Sequence, residues 1–211
     1  MQHILSAAIA AVMLAPGALA LEAPRWALVV HGGAGVIERD SMTPQTDAAY
    51  RAAMAQALDT GAGVLESGGT AVDAIEAIIR AFEDDPMFNA GRGAVFTAAG
   101  RNELDSSIMD GSDLNAGAVA GVSSVRHPIS LARAVMEHSP HVMLQGAGAE
   151  TFGSEQGLEL VDPAFFFTER RWVSLEHELG RLGLDIPARP QGAPEHQPVD
   201  EGALLRDARE H

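Results

Sequence analysis

Residues 68–97 read GGTAVDAIEAIIRAFEDDPMFNAGRGAVFT and form the most informative stretch of this 211-residue chain. Thr70 followed three residues later by Asp73 is a capping-box pattern, which predicts that a helix begins here. Apolar residues then recur at helical spacing as far as Phe82, and an acidic run with Pro86 ends the pattern. We therefore expect an amphipathic helix followed by a glycine-flanked loop.

The loop from Phe82 to Arg92 supports two interpretations. It can turn several backbone carbonyl groups inward and bind a hard cation through them, or it can be an ordinary connection between a helix and a strand. Asn89 within it can orient a nucleophile or a substrate through a buried amide, or it can merely tolerate a left-handed turn. The acidic side chains of residues 83–85 are expected to be solvated.

Hydrophobic periodicity predicts helices and strands on either side of this stretch. Trp26–Val30 is a short apolar run that predicts a buried strand leading into the loop His31-Gly32-Gly33-Ala34-Gly35. This loop lacks the spacing of a dinucleotide fingerprint, which leaves a tight turn or a pocket lining. The other predictions are helices over 46–65 and 168–182, helices beginning near Pro128 and Ala149, and strands over 94–97, 103–110, 115–124 and 141–144. Their order indicates a layered α/β or α+β domain.

Composition and charge narrow the functional classes. The net charge is −15, which argues against nucleic acid and anionic membranes as partners. Cysteine is absent, which excludes a disulfide framework, a thiol nucleophile and a thiolate zinc site. The eight histidines show no metal-binding spacing. Glu103, Asp105 and Asp110 are more typical of structural hydrogen bonds than of a catalytic or metal-binding carboxylate pair.

The two ends of the chain differ from the middle in composition. Residues 1–20 contain no Asp, Glu, Lys or Arg and end in Ala-Leu-Ala. This pattern favours a secretory signal peptide, and a periplasmic or secreted protein, over an apolar N-terminal helix or a membrane anchor, for which the apolar run is short. Residues 21–182 are expected to form the folded portion. Residues 183–211 are rich in proline and poor in apolar side chains, which predicts a flexible linker.

Taken together, five stretches resemble the plant-type L-asparaginases, also called isoaspartyl or β-aspartyl peptidases, which are N-terminal-nucleophile hydrolases. They are residues 68–97, quoted above, together with HGGAG at 31–35, ELDSSIMDG at 103–111, AGAVAGVSSVRHPISLARAVME at 116–137 and HVMLQGAGAE at 141–150. The resemblance covers residues 26–172 and rests on the shared order of the motifs, since each motif alone is weak.

The resemblance implies a four-layer αββα sandwich, of which this chain is expected to supply the N-terminal half. Family members cut themselves before a threonine, which becomes the N-terminus of a β chain and uses its own amine as general base. The Gly-Thr-Val-Gly segment around that threonine is not found in this sequence, and capping explains Thr70. We therefore expect an α chain that is inactive alone and pairs with a β chain from the same precursor in an (αβ)2 assembly.

The resemblance also assigns roles to individual residues. Asn89 would help to position the nucleophile, and residues 31–35 would line the pocket for L-asparagine or an isoaspartyl dipeptide. A structural sodium ion would bind main-chain carbonyl groups of Phe82, Glu83, Asp85, Phe88, Ala90 and Arg92; no organic cofactor is expected. Two rivals remain, namely a truncated, catalytically dead exported protein or binding module, and a metal or nucleotide binder.

Overall fold

In the computed structural model of this protein, residues 25–33 and 42–195 are described, and the predicted signal peptide lies outside them. The described residues form five α-helices, one short 3-10 helix and three strands. The α-helices are α1 (Pro44–Glu66), α2 (Ala71–Asp84), α3 (Pro128–His138), α4 (Gly146–Glu155) and α5 (Glu169–Leu182). The strands are β1 (Leu104–Met109), β2 (Ala116–Val122) and β3 (Met143–Gln145), and the 3-10 helix is Pro163–Phe166. This content agrees with the α+β class expected from the sequence.

The N-terminus of α2 is fixed by the predicted capping box. The Asp73 amide donates to Thr70 Oγ1 at 3.1 Å, and the Thr70 amide donates to Asp73 Oδ2 at 2.9 Å. The apolar face of α2 then packs against α1 and α3, with Val72, Ile78 and Phe82 buried. The helix thus carries the loop after it to a fixed place in the core.

The sheet has the order β1-β2-β3, and α3 packs on it. β1 pairs antiparallel with β2, and β2 pairs parallel with β3. β2 lies close under α3, because a Cβ placed on Gly117 would come within 2.1 Å of the Ala132 carbonyl oxygen. Only glycine leaves room for this approach. The strand predicted over 115–124 is confirmed as β2.

Three predicted elements differ from the structure. Trp26–Val30 is not a strand paired within the described residues; Leu28 and Val30 pack on a core cluster while Val29 is 91% exposed. Residues 94–97 contribute only a single bridge, from Phe96 to Asn102, because a turn follows at once. The fourth helix begins at Gly146 rather than at Ala149.

The predicted linker lies only partly within the described residues. Residues 183–195 contain no helix or strand, yet they contact the cluster formed by Phe96, Phe167 and Trp172. Arg189 forms a paired hydrogen bond with the Glu169 carboxylate at 2.9 and 2.5 Å and lies over the Phe167 ring. This part of the segment is therefore packed against the fold, and residues 196–211 lie outside the described residues.

Candidate functional site

The structure brings together two segments that the sequence singled out separately. Phe88 is buried in a cluster with Phe82 and residues of α1. A Cβ placed on Gly32 would lie 3.0 Å from the Met54 sulfur and 3.5 Å from the Phe88 ring. The His31–Gly33 segment therefore lies against the base of the loop that carries Asn89. Ala34 and Gly35 lie outside the described residues.

Gly33 gives this segment a tight turn. Its φ is +122°, a conformation that L side chains rarely adopt, and its amide donates to His31 Nδ1 at 3.2 Å. His31 is exposed, as are Gly32 and Gly33. The exposed backbone of residues 31–33, which lies beside the buried Phe88 ring, can contact a ligand or a neighbouring chain.

Backbone hydrogen bonds close the loop between residues 83 and 94. The Arg92 amide donates to the Glu83 carbonyl at 2.9 Å, and the Ala94 amide donates to the Gly91 carbonyl at 2.9 Å. Gly91 and Gly93 stand where the loop folds on itself: a Cβ on Gly91 would lie 2.3 Å from the Glu83 carbonyl oxygen, and one on Gly93 would lie 1.9 Å from the Phe88 oxygen. Both positions therefore require glycine, because the carbonyl oxygens of Glu83, Pro86 and Phe88 lie close against them.

Asn89 lies at the outer edge of this loop and is exposed in this chain. Its neighbours Phe88 and Gly91 are buried, whereas the Asn89 side chain is not. That Asn89 orients a nucleophile or a substrate stays a prediction. An exposed amide on a constrained loop is available to groups outside the described residues.

Glu83 is not the solvated carboxylate expected from the acidic run. Its side chain is buried, and Oε1 accepts a hydrogen bond at 2.8 Å from the Ile129 amide in the first turn of α3. Oε2 is buried with no hydrogen-bond partner among the described residues. Desolvation raises the pKa of Glu83 to about 8, so the carboxyl group is largely protonated at neutral pH.

Asp84 is also engaged rather than freely solvated. It accepts hydrogen bonds from Arg126 Nε and from His127 Nε2, each at 3.2 Å. Burial alone would raise the pKa of Asp84, but these hydrogen bonds outweigh it and hold the pKa below its usual value. Burial lowers the pKa of His127, so the ring is neutral at pH 7 with its proton on Nε2. Asp84 thus links the end of α2 to the start of α3.

Sequence reasoning missed four residues that hold the Asn89 loop from outside. Arg170 Nη2 donates to the Pro86 carbonyl at 3.3 Å, and Arg171 Nε donates to the Gly93 carbonyl at 2.7 Å. Tyr50 donates its hydroxyl to the Met87 carbonyl at 3.3 Å. Buried Asn102 donates to the carbonyls of Ala94 and Val95 at 3.0 and 3.1 Å. No local sequence pattern predicts these contacts, because each donor is either distant in the sequence from its acceptor or lies in a segment without a recognisable motif.

Comparison with known proteins identifies the family. The family model described as asparaginase matches residues 24–196. The isoaspartyl peptidase of Escherichia coli is 45% identical over 166 residues, covering 79% of this chain and 49% of the relative. The human isoaspartyl peptidase/L-asparaginase is 45% identical over 157 residues, covering 74% and 49%, and the plant-type L-asparaginase of Pyrococcus furiosus is 41% identical over 157 residues, covering 74% and 50%.

The chain belongs to this asparaginase family. It spans about half the length of the curated relatives it matches. The resemblance read from the five sequence motifs is confirmed.

The other carboxylates considered from the sequence have structural partners in this asparaginase-family chain. Asp105 accepts from the Gly121 amide at 2.9 Å, Asp110 accepts from the Ser112 amide at 2.8 Å, and Glu103 lies 3.5 Å from Arg101. These contacts agree with structural hydrogen bonding. Among the described residues, no group of three His, Asp or Glu side chains could hold a metal ion, and no helix is long and apolar enough to cross a membrane.

A separate cleft of about 400 Å³ lies between α2, α3 and the residues after α4. Its lining includes Glu76, Arg80, His127, Arg133 and Glu159. Glu76 faces α3, where it accepts hydrogen bonds from Ser130 and Arg133. Neither Asn89 nor the His31–Gly33 segment lines this cleft, so it is distinct from the candidate site.

Proposed function

We propose that this chain is the α-chain portion of an amidohydrolase that cleaves the side-chain amide of L-asparagine and the isoaspartyl bond of β-aspartyl dipeptides. The observation that carries the proposal is the placement of His31–Gly33 against the loop of Asn89, in a chain that the family model matches over 24–196. The human relative is an isoaspartyl peptidase/L-asparaginase, a name that includes both activities.

In this proposal the nucleophile is a threonine at the N-terminus of a β chain. Its hydroxyl oxygen attacks the amide carbonyl while its own α-amine accepts the hydroxyl proton. The proton passes to the leaving nitrogen, which departs as ammonia or as the amine of the second amino acid. Water then attacks the resulting ester and releases aspartate. Asn89 helps to position the threonine, and residues 31–35 line the pocket.

Exposed apolar groups support a β chain as the partner. Val29 is 91% exposed in an extended segment that has no pairing partner among the described residues. One face of the β1–β2 sheet packs on α3, whereas Met109 on β1 and Met143 on β3 are 51% and 53% exposed. Apolar side chains beside unpaired strand edges are typical of surfaces that another chain covers. We propose that a β chain completes an αββα sandwich here, in an (αβ)2 assembly.

The donor set of the Asn89 loop fits a structural sodium ion. The proposed ligands are main-chain carbonyl oxygens, which are neutral and hard and therefore suit a monovalent cation. The oxygens of Glu83 and Phe88 lie directly against Gly91 and Gly93, so the loop brings main-chain carbonyl groups close together. We propose that the carbonyl groups of Phe82, Glu83, Asp85, Phe88, Ala90 and Arg92 hold the ion. Bound there, it would neutralise the converging oxygen dipoles and keep the loop in one shape.

The proposed location is the periplasm or the cell exterior. It rests on the apolar, uncharged sequence of residues 1–20 and its Ala-Leu-Ala ending. Export would place the enzyme where amino acids are recovered from external amides and damaged peptides. Mass spectrometry of the protein from its own source tests this, because a mature N-terminus at Leu21 is expected.

The experiment that tests the function uses the complete product of the coding sequence, with whatever follows residue 211. We expect two chains, the second beginning with threonine, and release of ammonia from L-asparagine and of aspartate from a β-aspartyl dipeptide. A single uncut chain without hydrolysis would contradict the proposal and favour a catalytically dead binding protein.

Asn89→Ala in that protein tests the role of the loop. We expect kcat to fall by about tenfold or more, because a misplaced nucleophile loses its aligned geometry. The melting temperature should change little, since the side chain is exposed and surface substitutions usually alter stability by less than about 0.5 kcal/mol. Gln56→Ala is the matched control, because it also removes an exposed side-chain amide, but from helix α1 and away from the loop. Equal kcat in both variants would remove Asn89 from the site.

A further inference from the structure

The first turn of α5 reaches the Asn89 loop from outside at two points. Arg170 Nη2 donates to the Pro86 carbonyl at 3.3 Å, and Arg171 Nε donates to the Gly93 carbonyl at 2.7 Å. These two carbonyls stand on either side of Asn89, one before it and one after it in the chain. The contacts therefore enclose the segment whose position matters for the proposed reaction.

The base from which these arginines extend is itself fixed. Trp172, the next residue, is fully buried and packs edge-on against Phe96 with ring centroids 5.2 Å apart. Glu169, the residue before them, pairs with Arg189. A helix turn held on both sides can transmit a fixed position to the groups it binds, because packed elements deform little.

The Arg171 bond is the stronger of the two. It is short, partly buried and charge-assisted, and such bonds are roughly twice as strong as neutral ones. The bond from Arg170 is longer and exposed, so solvent competes with it. Arg171 binds the Gly93 carbonyl at the end of the loop. Gly93 directly precedes Ala94 and Val95, whose carbonyls accept hydrogen bonds from buried Asn102. Losing the Arg171 bond would free the loop at that end.

We propose that Arg171, assisted by Arg170, is a positioning residue that sets the place of Asn89 during amide hydrolysis; this inference rests on the proposed function. Arg171 does not touch the substrate. It acts by holding the Gly93 carbonyl, so that the span from Pro86 to Gly93 presents Asn89 to the nucleophile in one arrangement.

The test measures kcat and KM of the complete, self-cleaved enzyme carrying Arg171→Met, Arg171→Lys or Arg170→Met. We expect Arg171→Met to lower kcat by about tenfold, with KM within about twofold, because small misplacements of a catalytic group reduce turnover strongly. Arg171→Lys should recover part of kcat, since an ammonium group also donates, and Arg170→Met should lower kcat less. Arg181→Met is the matched control, because Arg181 lies on the same helix and pairs with Glu178 at the surface.

A double variant separates positioning from a merely structural role. If Arg171 acts through Asn89, Arg171→Met combined with Asn89→Ala should lose no more kcat than Asn89→Ala alone. Multiplied losses, or an unchanged kcat in Arg171→Met, would overturn the inference. If Arg171→Met fails to fold, the same cycle with Arg171→Lys gives the answer. Absence of hydrolysis in the unmutated enzyme and in Arg181→Met would instead reject the proposed function.

Discussion

The two ends of helix α2 are held in different ways. At its N-terminus, Thr70 and Asp73 satisfy each other's backbone amides within four residues. At its C-terminus, Glu83 and Asp84 bind groups at the start of α3 and just before it, which are more than forty residues away in the sequence. The N-terminal end is a local helix cap that fixes where α2 begins. The C-terminal end instead places the loop of Asn89 relative to the rest of the fold.

This contrast predicts that changes at the two ends differ in what they affect. A variant at the N-terminal end should lower stability alone, because no part of the candidate site contacts it. A variant at the C-terminal end should lower stability and also turnover, because the Asn89 loop begins there. Both quantities are to be measured in the complete protein, with unfolding followed in urea.

Glu83→Ala should have the largest effect on stability, a loss of about 3 kcal/mol. The variant leaves the Ile129 amide buried without its acceptor, which costs about 1–3 kcal/mol, and the vacated volume adds to that loss. Glu83→Gln keeps the shape and an acceptor oxygen and resembles the protonated carboxyl group, so its loss should be smaller.

Glu66→Ala at the exposed end of α1 is the control and should change stability by less than about 0.5 kcal/mol. If Glu83→Ala lowers stability no more than this control does, the buried contact with Ile129 contributes nothing. If it lowers stability but leaves kcat unchanged, the C-terminal end of α2 does not set the loop.

Asp84→Ala should have an intermediate effect, a loss of about 1–2 kcal/mol, because buried His127 and partly buried Arg126 lose a charge-assisted acceptor. Arg126 keeps its contact with Glu159 at 3.1 Å, which limits the loss. The double variant Asp84→Ala, His127→Ala tests the coupling. If the two single losses simply add, the contact between these side chains carries no stability.

The difference between the ends also explains what the sequence could and could not predict. The capping box, the helical spacing of α2 and the alternation of β1 are local patterns, and each predicted its element correctly. The burial of Glu83 depends on Ile129, and the anchoring of the loop depends on Arg171, so no local window contains either contact. An acidic run was therefore interpreted as solvated when one member of it lies in the core.

The candidate site shows the same division. Glycine spacing pointed to the Asn89 loop and to His31–Gly33, and the structure places the two segments together. Trp26–Val30 has the apolar composition of a buried strand but no pairing partner among the described residues, because a strand forms only where another strand meets it. Apolar composition shows that a segment can be buried in a sheet, but whether it forms a strand depends on a second strand that pairs with it.

Thr70→Ala should have the smallest of the three effects, a loss of about 1 kcal/mol, which is typical of a removed helix cap.

Hydrogen bonds from the Thr70 amide and hydroxyl group, with help from Arg133, lower the pKa of Asp73 to about 2. A lowered pKa means that the unfolded chain binds the proton more readily, so the contribution of Asp73 is present above pH 4 and is lost as the pH falls toward 2. The stability gap between the native protein and Asp73→Ala should therefore narrow over that interval, while kcat at neutral pH stays unchanged in both capping variants. A gap that stays constant down to pH 2 would mean that the carboxylate does not cap the helix, and a fall in kcat would erase the distinction between the two ends of α2.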